Sequence, residues 1–505
     1  MEVQLKANGF SGWRKVCSAA IPRELSQELI ISDTMPDVGE ILFYEASPLI
    51  RSKDVSEGSV ALEANVPVRV TYLSAQDGSL RVLDLNLSLS AEESCAALTE
   101  DCRCTAGLTL KALNARTLNP RKILVEALAE VRLDCYQPCE IAFAAPEEPG
   151  DEAVHILAQT QELSAICCVT EKTFVLTDEF ILPEGATPAG ELLGYSTRLL
   201  TEDVKAVGGK MIVRGCAKSR VIYASPEGRP ELAEFTTGFS QIVDAACDAE
   251  ALRPCTELLL SGMYYEIEPG YDGRTIRMEL HAVAQLRLYR TEKLRYISDA
   301  YSNSYALEAE REQRETECLC GDYRLLQPLR TMIETERSPA EISFCCAELL
   351  QAQPDNAHGL RLTLAVILCC RDESGKPFFC RKALSQVIDA GIGAGERLIV
   401  SSVPLTDLSA LPVSGGVELR MNADINGLLL RSGELSCISA LRYDESALSD
   451  HRGTPSLVLM KATSEDSLWQ IAKENLSSVE AIRAANHLED AAEPWEKLLL
   501  IPKTW

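Results

Sequence analysis

The chain carries one sequence pattern three times, at intervals of about 150 residues, and this triplication limits the folds that it can adopt. Each copy opens on a proline followed by a short acidic and apolar run, at residues 36–42, 188–193 and, in a weaker form, 339–342. A turn glycine farther along keeps the same spacing, at Gly78, Gly228 and Gly375. Because two separate markers share one offset, we expect three modules with the same fold in tandem.

Each copy contains two runs in which apolar and polar residues alternate. The first run precedes the turn glycine and covers residues 66–72, 213–223 and 360–368. The second run closes the copy and covers residues 124–133, 276–288 and 435–443. Alternation with a period of two, bounded by Gly, Asp and Pro turns, is typical of half-buried antiparallel strands. The proline that opens each copy suits either a short helix or a turn.

These strands favour a mainly β fold, in which each copy is a β-sandwich-like or barrel-like module; the spacing alone does not separate the two. Stretches rich in charge or proline between the copies are predicted to be linkers. The predicted boundaries are module 1 at 1–144, a linker at 145–172, module 2 at 173–296, a linker at 297–322, module 3 at 323–447, a linker at 448–455 and a terminal unit at 456–505.

The terminal unit has a helical pattern between two short apolar runs. Leu468 and Ile471 share one face of a first helix, because positions three and four apart lie on the same side. Ser477 and Glu480 have the spacing of a capping box and predict the start of a second helix. The flanking apolar runs predict strands, so we expect a small α+β fold with the order βααβ.

This unit resembles a LysM domain, whose signature contains a Gly-Asp-Thr-Leu-Trp run, an Ala-Asn-Asn and a closing proline. The corresponding residues here are the run 465–469, Asn486 and Pro494. The resemblance implies a shallow groove between the loop before the first helix and the loop before the last strand. Carried over by position, the residues that bind a glycan or a partner protein are Asp466, Ser467, Leu468, Trp469, Asn486, His487, Pro494 and Trp495.

Most of these residues also have a structural explanation. Asp466 or Ser467 suits the cap of the first helix, and Asn486 suits the end of the second. Leu468 is expected in the core, and Trp469 is expected to be partly buried.

Departures from the LysM signature favour a protein partner over a sugar. Glu465 stands in place of the usual glycine, and His487 stands in place of the usual second asparagine. Trp495 adds a bulky indole, a common anchor of protein interfaces. A carboxylate and an indole in the two groove loops are expected to alter sugar recognition.

The composition bears on the choice of partner. The 505 residues include 75 acidic and 49 basic side chains, for a formal net charge of −26. Such a chain repels phosphate backbones, so we expect no nucleic-acid partner. No apolar run reaches the ~18–20 residues of a membrane helix, so we expect no membrane insertion. The first residues lack the apolar core of a signal peptide, which predicts a cytoplasmic location.

No arrangement of residues predicts an enzyme, a cofactor or a metal site. There is no phosphate-binding loop, dinucleotide fingerprint or nucleophile elbow, and the five histidines are scattered singly. The 19 cysteines include no Cys-x-x-Cys pair. Two Cys-x-Cys pairs, at residues 102–104 and 318–320, are better explained as reduced thiols than as zinc ligands. We therefore expect a non-enzymatic protein.

The three copies resemble the SPOCS module of spore-coat morphogenetic proteins in endospore-forming Firmicutes. Residues 28–42 carry this resemblance, and the run at 297–302 is similar to the same family. Several SPOCS copies followed by a LysM domain are the arrangement of SipL-like coat proteins. The resemblance implies an assembly adaptor of sporulation, in the mother-cell cytoplasm at the forespore surface. It also implies that the LysM domain docks the ATPase of the coat basement layer and that the protein contacts other coat proteins.

The alternative hypothesis is a LysM protein that binds peptidoglycan of the cell wall or spore cortex. This function requires an export route, for which the N-terminal residues supply no signal. In both hypotheses residues 456–505 form the binding unit.

Overall fold

The computed structural model describes residues 2–147, 154–245, 252–268, 272–355, 358–448, 455–463, 466–488 and 498–504. Within these ranges the chain is mainly β, and a small α+β region lies at its C-terminal end, which confirms the predicted fold class. None of the helices in these ranges is long and apolar enough to cross a membrane.

The strands follow the three copies. Module 1 contains β1 (Leu5–Ile30), β2 (Val38–Ala46), β3 (Leu49–Ser56), β4 (Ser59–Ser74), β5 (Leu80–Ser94), β6 (Arg103–Asn119) and β7 (Lys122–Pro146). Module 2 contains β8 (His155–Ile181), β9 (Glu191–Val207), β10 (Lys210–Ala224), β11 (Pro230–Asp244), β12 (Arg253–Ile267) and β13 (Thr275–Tyr301). Module 3 contains β14 (Tyr305–Glu334), β15 (Glu341–Asp355), β16 (Gly359–Arg371), β17 (Pro377–Asp389), β18 (Glu396–Ser402), β19 (Leu405–Val413) and β20 (Gly416–Leu448).

The three modules share one pattern of strand pairing, although module 1 has two strands, β2 and β3, where the others have one, β9 or β15. In the first sheet of each module, the first strand pairs antiparallel with the last strand, as β1–β7, β8–β13 and β14–β20. The last strand also pairs with the strand or strands that precede it, as β6–β7, β12–β13 and both β18 and β19 with β20. In the second sheet, β4, β10 and β16 occupy the centre. The repeat prediction is therefore confirmed.

The two sheets of each module pack face to face, which makes the modules β-sandwiches. In module 1, Val66, Val68 and Val70 of β4 are at most 1% exposed and pack in one cluster with Ile123 and Val125 of β7. Each such side chain contributes roughly 1.5–3 kcal/mol by leaving water. The alternation in the sequence thus marks the inner face of the sandwich.

The turn glycines have the backbone conformation that their spacing implied. Gly78, Gly228 and Gly375 have φ values of 69°, 74° and 80°, in the left-handed region. A side chain is disfavoured there, so glycine is the residue that closes these turns at no steric cost. The prolines that open the first two copies follow turns: Met35 N–H donates to Ser32 O, and Ala186 N–H donates to Pro183 O.

Two predicted linkers are mostly strand. β8 begins at His155, inside the range 145–172, and β14 begins at Tyr305, inside the range 297–322. The boundary between modules 2 and 3 is corrected to residues 302–304. The first half of β14 is charged and largely exposed, so it lacks apolar alternation; backbone pairing with β20 holds it in the sheet. The third predicted linker, 448–455, lies almost entirely outside the described residues.

The closing run of module 3 also lies earlier than predicted. Val417, Leu419 and Met421, near the start of β20, fill the core of the third sandwich and are at most 3% exposed. The predicted run at 435–443 forms the second half of β20. Its Cys437 and Ile438 are buried against strands of modules 1 and 2. The alternation there therefore reflects contact between modules.

The modules converge on a shared apolar cluster. Phe43 of β2, Leu193 of β9 and Phe344 of β15 belong to it, and the Phe43 ring stacks on Phe379 with centroids 4.6 Å apart. Gly194 stands close to Phe43, where an added Cβ would lie 3.0 Å from the Phe43 ring. Glycine at this position therefore permits the close approach of modules 1 and 2.

Candidate functional site

The terminal unit has the predicted βααβ order. β21 (Leu457–Lys461) pairs antiparallel with β22 (Leu498–Pro502), and α1 (Leu468–Glu474) and α2 (Val479–Asn486) lie between them. Leu468 and Ile471 of α1 pack with Ile482 of α2 and with Leu499 and Ile501 of β22. The helices and the inner face of the two-stranded sheet thus make one small core.

The loop before α1 is fixed by two predicted site residues. Ser467 caps the helix, because its hydroxyl accepts a hydrogen bond from Gln470 N–H at 3.1 Å. Asp466 instead accepts from the backbone N–H and the hydroxyl of Thr463, both at 2.8 Å. These two hydrogen bonds lower the pKa of the Asp466 carboxyl. Of the two candidates for the N-cap of α1, Asp466 and Ser467, the cap is Ser467.

The start of α2 differs from the prediction by one residue. Ser478 caps the helix and accepts from Ala481 N–H at 3.1 Å. The hydroxyl of Ser477 donates to the carbonyl of Pro502 on β22. The capping-box assignment of Ser477 was therefore wrong, because its hydroxyl is hydrogen-bonded to the last strand and does not cap α2.

Asn486 and His487 end α2. The Asn486 amide donates to Leu500 O at 2.6 Å and accepts from Leu500 N–H at 2.7 Å, so it joins the helix to β22. It also donates to Ile482 O at 2.8 Å. His487 follows in the left-handed conformation with φ 50°, and its side chain is exposed. Asparagine is suited to this helix end by its hydrogen-bonding amide, as the sequence suggested.

The predicted site residues divide into three groups. Leu468 is buried in the core and Asn486 holds α2 to β22, so both serve folding. Ser467 and His487 are exposed, and Asp466 is half-buried. Pro494 and Trp495 lie outside the described residues.

Trp469, the remaining site residue, faces module 2. Its indole Nε1 donates to Asp299 Oδ2 at 2.9 Å, and its ring meets Tyr301 edge to face with centroids 4.8 Å apart. Lys473, one turn along α1, donates to the same carboxylate at 2.7 Å. Trp469 is half-buried, as predicted, and contacts a surface of this same chain.

Asp299 is the centre of this contact. It also accepts from Arg311 of β14 at 2.6 Å. Burial alone would raise the pKa of the Asp299 carboxyl, but the hydrogen bonds from Lys473, Trp469 and Arg311 outweigh it and lower the pKa. The carboxylate is therefore held in its charged form between module 2, module 3 and the terminal unit.

Tyr301 and Asn303 complete the contact. Both donate to the carbonyl of Ser477, each at 2.9 Å, and Asn303 also donates to Thr504 at 3.0 Å. The Tyr301 ring belongs to the core of the terminal unit. Burial raises the pKa of its phenol. His155, at the start of β8, packs on the Tyr301 ring with centroids 4.8 Å apart.

Sequence reasoning missed the role of Asp299, Tyr301 and Asn303. It placed them in a linker, although the run 297–302 had been noted for its family resemblance. That run is the end of β13 and the surface to which the terminal unit is attached. The resemblance had therefore drawn attention to this run. Nothing in its local sequence, however, indicated that it contacts a helix 170 residues farther along the chain.

Comparison with known proteins identifies the terminal unit. Residues 461–494 match the family model of the LysM domain. No curated protein and no solved structure matches the chain. The chain therefore carries a LysM domain after three β-sandwich modules, and that domain supports binding of peptidoglycan or another carbohydrate.

Proposed function

We propose that this protein is a non-enzymatic assembly adaptor, in which three β-sandwich modules form a body and the LysM domain binds a partner protein. By the resemblance of the modules, the partner is the ATPase of the spore-coat basement layer. The adaptor then works in the mother-cell cytoplasm at the forespore surface, beside other coat proteins. The observation that carries the proposal is the attachment of the terminal unit to the body through Asp299.

This attachment suits an adaptor because it fixes the terminal unit in one orientation. Three donors from two other elements converge on one carboxylate, namely Trp469 and Lys473 of α1 and Arg311 of β14. Tyr301 extends the core of the terminal unit into module 2. A partner bound to the terminal unit is thereby held at a fixed position relative to the body, which a flexible tether would not achieve.

The second candidate function is binding of peptidoglycan. The match to the LysM family favours it. Exposed polar side chains at the groove loops, Ser467 and His487, can donate to or accept from sugar hydroxyls. In this case the body would be carried to the wall or cortex by the terminal unit.

One paired binding experiment separates these functions. The full-length protein is tested against purified coat ATPase and against insoluble peptidoglycan, with Trp495→Ala and His487→Ala as variants. The adaptor proposal expects ATPase binding that Trp495→Ala weakens by at least about tenfold, as at an interface hot spot. Tyr264→Ala, at an exposed aromatic residue of module 2, is the control and should bind as the parent.

Retention on peptidoglycan that His487→Ala reduces, without binding to the ATPase, would replace the adaptor with the glycan-binding function. ATPase binding that a folded Trp495→Ala protein keeps in full would remove Trp495 from the interface.

A further inference from the structure

The three modules line an open cavity of about 660 Å³, which is within the size range of small-molecule sites. Strands of all three modules line it, among them β2 and β6 of module 1, β9 and β12 of module 2, and β15 and β18 of module 3. Three of the lining residues, Ala20, Arg132 and Pro354, are exposed, so the cavity reaches solvent beside them. The cavity belongs to the body, so an assignment here goes beyond the function proposed for the terminal unit.

Four arginines line the cavity, and three of them, Arg132, Arg198 and Arg220, form ion pairs. Every lining carboxylate forms an ion pair: Glu45 with Arg220, Glu348 with Arg198 at 3.5 Å, Glu257 with Arg132 at 2.6 Å and Glu130 with Lys111 at 3.0 Å. Arg381 of β17 also lines the cavity. Within the described ranges it has no carboxylate at ion-pair distance.

The surroundings of Arg381 satisfy only part of its guanidinium. Its Nη1 donates to Leu113 O at 3.2 Å, and the group lies over the Tyr44 ring at 5.5 Å from the centroid. Its Nε is buried and has no hydrogen-bond partner in the described chain. Burial lowers the pKa of Arg381 by more than the carboxylates of Glu45 and Glu348, which lie beyond ion-pair distance, raise it. The charge of this half-buried side chain is therefore only partly balanced.

Other buried polar atoms of the cavity lining also have no hydrogen-bond partner within the described ranges. They are the Thr256 hydroxyl and the Arg220 Nε, on residues that are 3% and 9% exposed, and Glu45 Oε2. Native structures leave few such groups, and those that remain call for an explanation. Two of these groups can donate to an anion, and the Glu45 oxygen can accept from a hydroxyl.

We propose that the cavity binds a small oxyanion, a phosphate or carboxylate group, with Arg381 as its counter-ion and with Thr256 and Arg220 as hydrogen-bond donors. Guanidinium groups suit such anions because their planar N–H donors match the oxygen geometry. Since all three modules line the cavity, the bound anion joins them at their point of convergence. Binding therefore stabilises the assembled body.

Calorimetric titration of the full-length protein with inorganic phosphate and with citrate, at an ionic strength held constant with sodium chloride, tests this site. We expect one saturable site per chain and a rise in the melting temperature of the body. Arg381→Gln should weaken the affinity by at least about tenfold, because it removes a charged hydrogen-bonding partner. Arg381→Lys should retain part of the affinity. Arg14→Gln, at an exposed arginine of β1, should change nothing.

Binding of only one of the two anions identifies the group that the cavity accepts. The proposal is overturned if neither anion gives saturable heat, in which case the cavity holds water. It is also overturned if Arg381→Gln binds as tightly as the parent. If Arg381→Gln does not fold, Thr256→Val serves in its place, since it removes a hydroxyl at nearly constant volume. Unchanged affinity in that variant then defeats the site.

Discussion

The indole nitrogen of Trp469 lies 2.9 Å from the carboxylate of Asp299 and donates to it, which links α1 of the terminal unit to the end of β13. The same carboxylate accepts from Lys473 and Arg311. The side chain of Asp299 is 20% exposed, whereas those of Lys473 and Arg311 are 39% and 48% exposed. One shielded carboxylate thus accepts hydrogen bonds from two partly solvated cations and one indole. The docking of the terminal unit therefore depends on Asp299.

Asp299→Ala is expected to loosen the terminal unit without unfolding it. The change removes the acceptor of hydrogen bonds from three side chains, while the core around Ile471 and Ile482 stays intact. Because the cations are partly exposed, the loss should be about 1–3 kcal/mol. Hydrogen exchange measured by mass spectrometry should rise in residues 297–305 and 466–477.

Asp203→Ala is the matched control for this change. Asp203 forms a surface pair with Lys205 at 3.0 Å, and both side chains are well exposed. Its loss should leave exchange at the docking contact unchanged. Exchange in Asp299→Ala that matches the parent would show that the carboxylate does not hold the terminal unit.

Acid should weaken the same contact through His155. Burial lowers the pKa of His155 in the folded chain, so the unfolded chain binds its proton more readily. The contribution of neutral His155 to the free energy of unfolding is therefore fully present above about pH 6.5, the ordinary pKa of histidine. It falls as the pH drops below that value. The slope from one group is at most about 1.4 kcal/mol per pH unit.

His155→Phe should flatten this slope between about pH 6.5 and pH 5, because phenylalanine keeps a ring against Tyr301 but takes up no proton. Urea unfolding at a series of pH values measures the effect. Parallel curves for the parent and the variant would assign the acid sensitivity to other groups.

Much of the fold could be predicted from local pattern. Alternation predicted β4 and β7 because the inner face of a sandwich is apolar along its whole length, as at Val66, Val68 and Val70. The spacing of Leu468 and Ile471 predicted α1 for the same reason, with a helical period. The turn glycines marked positive φ, a strictly local property.

The remainder depends on contacts that local pattern does not encode. The charged half of β14 is a strand because β20 supplies its hydrogen bonds, and no property of residues 308–317 announces that partner. Ser477 and Ser478 are both suitable helix caps by residue type, but the hydroxyl of Ser477 donates to the carbonyl of Pro502 on β22 instead. The docking site at Asp299 has the same origin, since its donors come from α1 and β14.

Asn486 should be required for the terminal unit to fold, whether or not it contacts a ligand. The Asn486 amide donates to Ile482 O and Leu500 O and accepts from Leu500 N–H, and Asn486→Ala removes all three hydrogen bonds. We expect a loss of about 2–3 kcal/mol confined to the terminal unit. The Leu500 amide should exchange much faster, and Asn422→Ala, which removes a single exposed hydrogen bond to Asp407, should not alter it. Normal protection of the Leu500 amide in Asn486→Ala would contradict this role.

The buried pair between Glu45 and Arg220 should govern the joining of modules 1 and 2. The two side chains are 7% and 11% exposed, and the pair crosses the module boundary. Glu45→Gln leaves the guanidinium buried without an anion, which is expected to cost about 3–5 kcal/mol in urea unfolding. Asp424→Asn is the control, since its partner Arg324 is 75% exposed, and it should cost less than about 1 kcal/mol.

The double variant Glu45→Met/Arg220→Met decides how the pair acts. If the cost of Glu45→Gln arises from an isolated buried charge, removing both charges should restore stability to near the parent value. If the pair itself attracts the modules more strongly than apolar packing does, the double variant should stay as unstable as Glu45→Gln. We expect the first result, because Phe43 and Ile222 already form an apolar cluster beside the pair that two methionines can extend. A double variant as unstable as Glu45→Gln would contradict it.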